Sequence, residues 1–320
     1  MKKILILGAG AMGSAFTIPC IDNNHKVVLS EPYNSSLVKK ISSNKNLHPA
    51  LKVKLPKKLI IKKYSSELFQ RKWDLVVIAV SSIGIEFIGK KLKEMKNNNP
   101  ILILTKGLCY QRSSKKILTI SEQLNKIIKK KNISVLKGPC LAVELANKIK
   151  TSAVIASKNI KTAKSIGKLI STKYYKFDYS KDVKGVEICS AIKNLYSMII
   201  GSGEGLNTSS VLFRNSISEM IYLTKFFKGK EETVFGLAGL GDLYVSVTGG
   251  RNSKMGKYLG KGFTYKSAKK KFMPKDTIEG AQLAFNIAPY MLKKINNKKI
   301  PLMTDLLKAI SKNKKLNIKW

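Results

Sequence analysis

A polar stripe crosses an otherwise apolar stretch of this chain: Ser190, Lys193, Asn194 and Ser197 stand at i, i+3, i+4 and i+7 within residues 186–200. A segment that apolar on nearly every side reads as a buried helix. A lysine on it is costly unless it meets a partner or a cleft. Burial lowers an ammonium pKa, which turns lysine into a usable acid or base near neutrality. When a hydride attacks a carbonyl, negative charge builds on the oxygen; a positioned ammonium stabilises it and supplies the proton. The competing reading is a surface lysine on a half-exposed helix.

A second cluster follows. Gly236-Leu237-Ala238-Gly239-Leu240-Gly241-Asp242-Leu243 leads to Ser246, Thr248 and Gly249-Gly250-Arg251-Asn252. Flexible glycines would deliver a carboxylate, a hydroxyl and then an Arg-Asn pair. Only four arginines occur (Arg71, Arg112, Arg214, Arg251), so this chain keeps arginine where a planar fork matters, as for phosphate or carboxylate. A structural salt bridge is the alternative for Arg251.

The third constellation lies at the start. The apolar run Ile4-Leu5-Ile6-Leu7 breaks into Gly8-Ala9-Gly10-Ala11-Met12-Gly13, followed by a helical pattern. Strand, GxGxxG and helix in that order let backbone approach a pyrophosphate and aim a helix N-terminus at its charge. Glu31, at the end of a second strand, stands where an acid accepts from a ribose 2′-hydroxyl and repels a 2′-phosphate. NAD is therefore expected over NADP, although Lys39 and Lys40 lie close enough to tolerate NADP. In the other reading Glu31 caps a turn before Pro32.

These residues need elements to hold them. Apolar runs predict strands over 3–7, 26–30, 75–80, 101–104, 133–136, 153–155 and 174–177, with helices over 12–23, 83–96, 113–130 and 160–171. That alternation predicts an α/β, Rossmann-type, doubly wound parallel sheet over residues 1–181. Glycine-rich or polar turns after strands, including Thr105-Lys106-Gly107 and Gly138-Pro139-Cys140, fall at the strands' carboxyl ends, where such sheets bind ligands. Long helical patterns over 183–200, 209–228, 277–296 and 301–312 predict an all-α C-terminal domain, residues 182–320.

Composition limits the partners. Lys and Arg total 60 against 19 Asp and Glu, a net charge of +41. The lysines are spread along the whole chain without aromatic interleaving, so no specific nucleic-acid partner is expected, only salt-sensitive nonspecific binding. No apolar run has membrane-spanning length, so no membrane insertion is expected. Four scattered cysteines without a CxxC pair suit thiols in the cytoplasm. His25 and His48 lack metal-ligand spacing and read as turn or surface residues, and no metal is expected.

Together these segments resemble the NAD(P)-dependent glycerol-3-phosphate dehydrogenase family. The resemblance rests on 8–13, Thr105-Lys106-Gly107-Leu108, Gly138-Pro139 with Ala142 and Glu144, Gly185-Val186-Glu187 through Lys193-Asn194, 236–243, 249–252 and Ile278-Glu279-Gly280. It implies reduction of dihydroxyacetone phosphate to sn-glycerol 3-phosphate for glycerophospholipid synthesis. It implies Lys193 as acid/base, with Asp242 and Lys106 beside it in catalysis. Substrate would be held by Lys106, Gly138, Cys140, Asn194, Asp242, Ser246, Arg251 and Asn252. The dinucleotide would lie against Gly8, Gly10, Ala11, Met12, Gly13, Glu31, Lys106, Ala142, Arg251 and Glu279. A homodimer is a family-level expectation. Cys140 stands where bacterial members usually carry Ser or Thr, Glu31 where they often carry a basic residue, and the 242–251 loop is short. Two rivals are a related two-domain hydroxy-acid dehydrogenase and a nonenzymatic dinucleotide sensor. The adjacency of Lys193 and Asn194 and the Gly-Leu-Gly-Asp and Gly-Gly-Arg-Asn segments favour the phosphorylated substrate.

Overall fold

Buried apolar runs with few side-chain hydrogen bonds of their own pair through backbone, and here they form one sheet. The computed structural model describes residues 1–94, 99–111, 113–129 and 133–318. By internal contacts the chain divides into two units, Met1–Lys106 with Ile120–Val183, and Gly107–Thr119 with Lys184–Trp320.

The first unit holds an eight-stranded sheet: β1 (Lys3–Leu7), β2 (Lys26–Glu31), β3 (Ile60–Lys63), β4 (Leu75–Ile78), β5 (Ile101–Ile103), β8 (Ile133–Lys137), β9 (Thr151–Ser157) and β10 (Tyr175–Ser180). The order is β10-β9-β8-β5-β4-β1-β2-β3. From β3 across to β8 neighbours run parallel, with Ile4 opposite Val27 and Leu75. The core strands are buried on both faces, as their unbroken apolar runs require.

The expected all-parallel sheet is interrupted once: β8 and β9 are antiparallel. Only a five-residue helix, Ala142–Ala146, lies between them. At about 1.5 Å per residue it cannot carry the chain back along a strand rising about 3.3 Å per residue. The chain therefore turns and returns, and β10 then pairs parallel to β9. Strand β3, which had no strong apolar run, lies at the sheet edge and is only half-buried.

A helix predicted over 113–130 is instead two elements. Leu108–Gln111 (β6) and Lys116–Thr119 (β7) form an antiparallel hairpin, and the helix spans Ile120–Ile128. Lys130 and Arg112 lie outside the described residues, as do Met95 and Lys96 at the end of the 83–96 pattern. The hairpin groups with the second unit, although the sequence places it in the 1–181 domain. Leu108 and Ile117 enter the apolar core of the helical unit, and that burial decides where the hairpin belongs.

The second unit is otherwise helical. Val183–Gly201 runs through its centre, flanked by Leu206–Phe226, Glu279–Lys294 and Pro301–Ser311. The glycine-rich segment expected as a flexible loop is ordered helix. A single π-helical turn at Leu237–Gly241 leads into Asp242–Gly249, and Gly250 breaks the chain before Arg251–Gly260. Among the described residues no helix is long and apolar enough to cross a membrane.

Candidate active site

In the first unit, the turn after β1 is shaped by what cannot carry a side chain. Gly8 has φ +112°, and a Cβ there would lie 2.7 Å from the Ala79 carbonyl carbon; a Cβ on Gly13 would strike the Gly8 carbonyl. These two glycines seat the turn on β4 and on the helix Ala11–Asp22. Gly10 is exposed, and nothing lies within 4 Å of the Cβ position it lacks. It is the N-cap of that helix, with no side-chain cap, so the first-turn N–H groups of half-buried Ala11 and Met12 are left to an anion. Bare backbone opening onto a helix N-terminus fits a dinucleotide pyrophosphate.

Glu31 sits beside this turn and is 8% exposed. Its Oε2 accepts from the Ala9 N–H at 2.7 Å, and its Oε1 accepts from the Tyr33 and Asn34 N–H groups at 2.9 and 3.1 Å. A carboxylate offers about four acceptor positions, so one on Oε2 is left for a ribose hydroxyl. Glu31 thus caps a turn and holds the glycine loop, and it still has an acceptor to offer.

The sequence reading missed His48. It is 1% exposed; its Nδ1 accepts from the Ala50 and Leu51 N–H groups at 3.2 Å each, and its Nε2 lies 3.0 Å from the Ala9 carbonyl. With Nδ1 accepting from two N–H groups, Nε2 is the ring nitrogen that donates to the Ala9 carbonyl. Ala9 is thereby held at both ends, its N–H by Glu31 and its carbonyl by His48. The adjacent proline and the turn around His48 were the available signal; the contact itself spans 39 residues.

Lys106 is half-buried just past β5, and Gly138, with φ +139°, begins the turn after β8. Cys140 is half-buried and faces the Tyr175 phenol, whose pKa is driven up mainly by burial and then by that thiol. Ala142 opens the five-residue helix and packs, partly buried, on the core of the first unit.

In the second unit the polar stripe finds its partners. Lys193 is 6% exposed and Asp242 is 3% exposed. Lys193 Nζ donates to Asp242 Oδ1 at 2.8 Å and to Ser246 Oγ, and Ser246 Oγ in turn donates to the Asp242 carbonyl at 2.8 Å. Asp242 and Ser246 are one turn apart on one helix, so both meet the same ammonium. A charge this deeply buried is tolerable because it is paired and hydrogen-bonded.

Asn194, next on the helix, accepts from Asn252 Nδ2 at 3.2 Å, and Asn252 Oδ1 accepts from the Gly280 N–H at 2.9 Å. Arg251 is exposed; its Nε donates to the Thr277 carbonyl at 3.0 Å and an Nη pairs with Glu279. Five donors on the guanidinium leave others to address an anion. Ser190, one turn before Lys193, is fully buried and its Oγ has no hydrogen-bond partner; Ser197 Oγ donates to the Asn194 carbonyl. The unit therefore assembles Lys193, Asn194, Asp242, Ser246 and Asn252, and separately couples Arg251 to Glu279. Among the described residues no group of three or more His, Cys, Asp and Glu side chains could hold a metal.

A Rossmann-type unit with a bare glycine turn, joined to a helical unit with a buried lysine–carboxylate pair, is the plan of a two-unit nicotinamide-dependent oxidoreductase. The family models for the N- and C-terminal parts of NAD-dependent glycerol-3-phosphate dehydrogenase match residues 3–163 and 182–318, and the chain belongs to that family. Its relatives include the NADP(+)-dependent glycerol-3-phosphate dehydrogenase of Archaeoglobus fulgidus, 31% identical over 83% of this chain and 82% of that protein. The glycerol-3-phosphate dehydrogenase [NAD(P)+] of Clostridium acetobutylicum is 29% identical over 98% of this chain and 94% of its own length. Among solved structures, glycerol-3-phosphate dehydrogenase from Coxiella burnetii superposes with a TM-score of 0.86 at 25% identity, covering 98% of this chain and 96% of that one.

Proposed function

We propose that the chain interconverts dihydroxyacetone phosphate and sn-glycerol 3-phosphate with NAD(H), NADP(H) being accepted less well. The observation that carries this reading is the buried Lys193–Asp242–Ser246 set in a chain of this family. A bound nicotinamide supplies the hydride. Lys193 Nζ stabilises the charge that develops on the substrate carbonyl oxygen and gives that oxygen a proton. Asp242 keeps Lys193 oriented and offsets its charge, and Ser246 fixes a second direction of the ammonium. Asn194 and Asn252 hold substrate oxygens, while Arg251 and Lys106 supply positive charge for the phosphate, with Gly138 and Cys140 beside it. Gly8, Gly10, Ala11, Met12, Gly13, Glu31, Ala142 and Glu279 serve the dinucleotide, with Lys106 and Arg251 also close to it.

The product is a precursor of glycerophospholipid head groups, and the chain works in the cytoplasm, a reading supported by its thiol cysteines. It pairs with a second copy; light scattering at micromolar concentration tests this, and a monomeric mass would reject it. The functional test is substrate-dependent turnover in Lys193→Ala. Its kcat should fall by at least about 10²-fold while NADH still binds; near-normal kcat removes Lys193 from the chemistry.

A further inference from the structure

Lys137 is absent from every role given above, yet it is one of the most buried side chains of the protein, 1% exposed at the last position of β8. Its Nζ donates to three successive carbonyls, Ile103 at 3.3 Å, Leu104 at 3.2 Å and Thr105 at 2.6 Å. These are the last carbonyls of β5 and its exit. The same exit is tied on its other side, where the Leu104 N–H donates to the Ile78 carbonyl at 2.8 Å and Thr105 Oγ1 to the Val80 carbonyl at 2.7 Å. The next residue is Lys106. On the other strand the residue after Lys137 is Gly138, whose φ of +139° starts the Gly138-Pro139-Cys140 turn.

One ammonium therefore fastens together two strand ends, and both lead directly into proposed substrate-binding segments. An ammonium brings three donors, and three carbonyl dipoles face the buried charge. No neutral side chain of similar length offers three donors at one point. Without them, three buried carbonyls lose a partner and the exit of β5 is held only by its ties to the Ile78 and Val80 carbonyls.

We propose that Lys137 is a positioning residue for Lys106: by clamping the carbonyls of residues 103–105 it sets the direction in which the chain leaves β5 and so places the Lys106 charge for an anionic substrate. The inference rests on the reading of Lys106 as a substrate-charge residue. It concerns substrate affinity, not the proton transfer assigned to Lys193.

The test is a double-mutant cycle with Lys137→Met and Lys106→Met in the full-length chain, measuring KM and kcat for dihydroxyacetone phosphate and NADH affinity by fluorescence. Lys137→Met should raise KM about tenfold, roughly the loss of one hydrogen bond from a charged group to the substrate, and leave kcat and NADH affinity within about threefold. In the Lys106→Met background Lys137→Met should raise KM no further. A cooperative calorimetric transition reports that each variant is folded. If Lys137→Met does not fold, Lys137→Gln, which keeps two N–H donors, takes its place in the cycle, with a smaller rise in KM that must likewise vanish when Lys106 is gone. Multiplicative effects, or an unchanged KM in the Lys137 variant, overturn the inference and leave the functional reading intact. An unchanged KM in Lys106→Met overturns the inference together with the role of Lys106. No turnover of dihydroxyacetone phosphate by the wild-type chain overturns the functional reading and the inference with it.

Discussion

Changing Asp242 to Asn keeps the shape of the side chain, removes its charge and turns one acceptor oxygen into an NH2 group. The side chains of Lys193 and Asp242 are 7% and 4% exposed and 2.8 Å apart, so water cannot replace the lost partner. Breaking a buried ion pair from one side costs about 3–5 kcal/mol. Ser246 Oγ still accepts from the ammonium, which places Asp242→Asn near the lower end, about 3 kcal/mol. Lys193→Met should cost a similar amount by taking the ammonium away from the buried carboxylate. The double variant buries neither charge and should be no less stable than either single one, giving a coupling of about 3 kcal/mol. At about 2–4 °C per kcal/mol, each single change lowers the calorimetric transition of the helical unit by about 6–12 °C, and the double change recovers or holds that value. If the two decrements simply add, the pair is not the electrostatic unit described here, and Asp242 acts on Lys193 in some other way.

Three further outcomes follow from named contacts. Glu219 is buried and its pKa is raised to about 7, chiefly by desolvation, against the lowering effect of the Met303 and Leu302 N–H groups and the Tyr196 hydroxyl. A folded pKa above the unfolded value means its stabilising contribution is complete below about pH 4.5 and is lost as pH rises through about 7. Tm should therefore decline between pH 5 and 8, and Glu219→Gln should flatten that decline; an equal slope in the variant rejects the assignment. Arg251→Lys should raise KM for the phosphorylated substrate severalfold, because lysine reproduces neither the fork nor the Thr277 contact; an unchanged KM removes Arg251 from phosphate binding. His48→Ala should weaken NADH binding about tenfold by releasing the Ala9 carbonyl, with kcat at saturating NADH little changed; unaltered NADH affinity shows that Glu31 alone holds the turn.

Much of this was readable from residues 1–13 and 186–200, because both signals are local. A strand that breaks into GxGxxG declares its own turn, and a polar stripe at helical spacing declares the face that must find partners. The pairing of Lys193 with Asp242 joins residues 49 apart and depends on a helix start that the glycines disguised as a loop. The antiparallel β9 was not legible, because strand direction is set by the length of the connection rather than by the strand. Lys137 and His48 were hidden for different reasons. A buried lysine does not stand out in a chain with lysine at most tolerant positions, and the turn signal of His48 and its proline does not reveal a contact to a carbonyl 39 residues away. Arg251 and Glu279 were both singled out, but nothing local linked residues 28 apart.

The central claim is that Lys193 reduces a phosphorylated carbonyl with a nicotinamide hydride. NADH oxidation should be followed by absorbance with dihydroxyacetone phosphate and, in parallel, with unphosphorylated dihydroxyacetone, for the wild-type chain and for Lys193→Ala. The account predicts turnover that needs both the phosphate and Lys193. Tight NADH binding without turnover, or equal turnover of the unphosphorylated ketone, contradicts it.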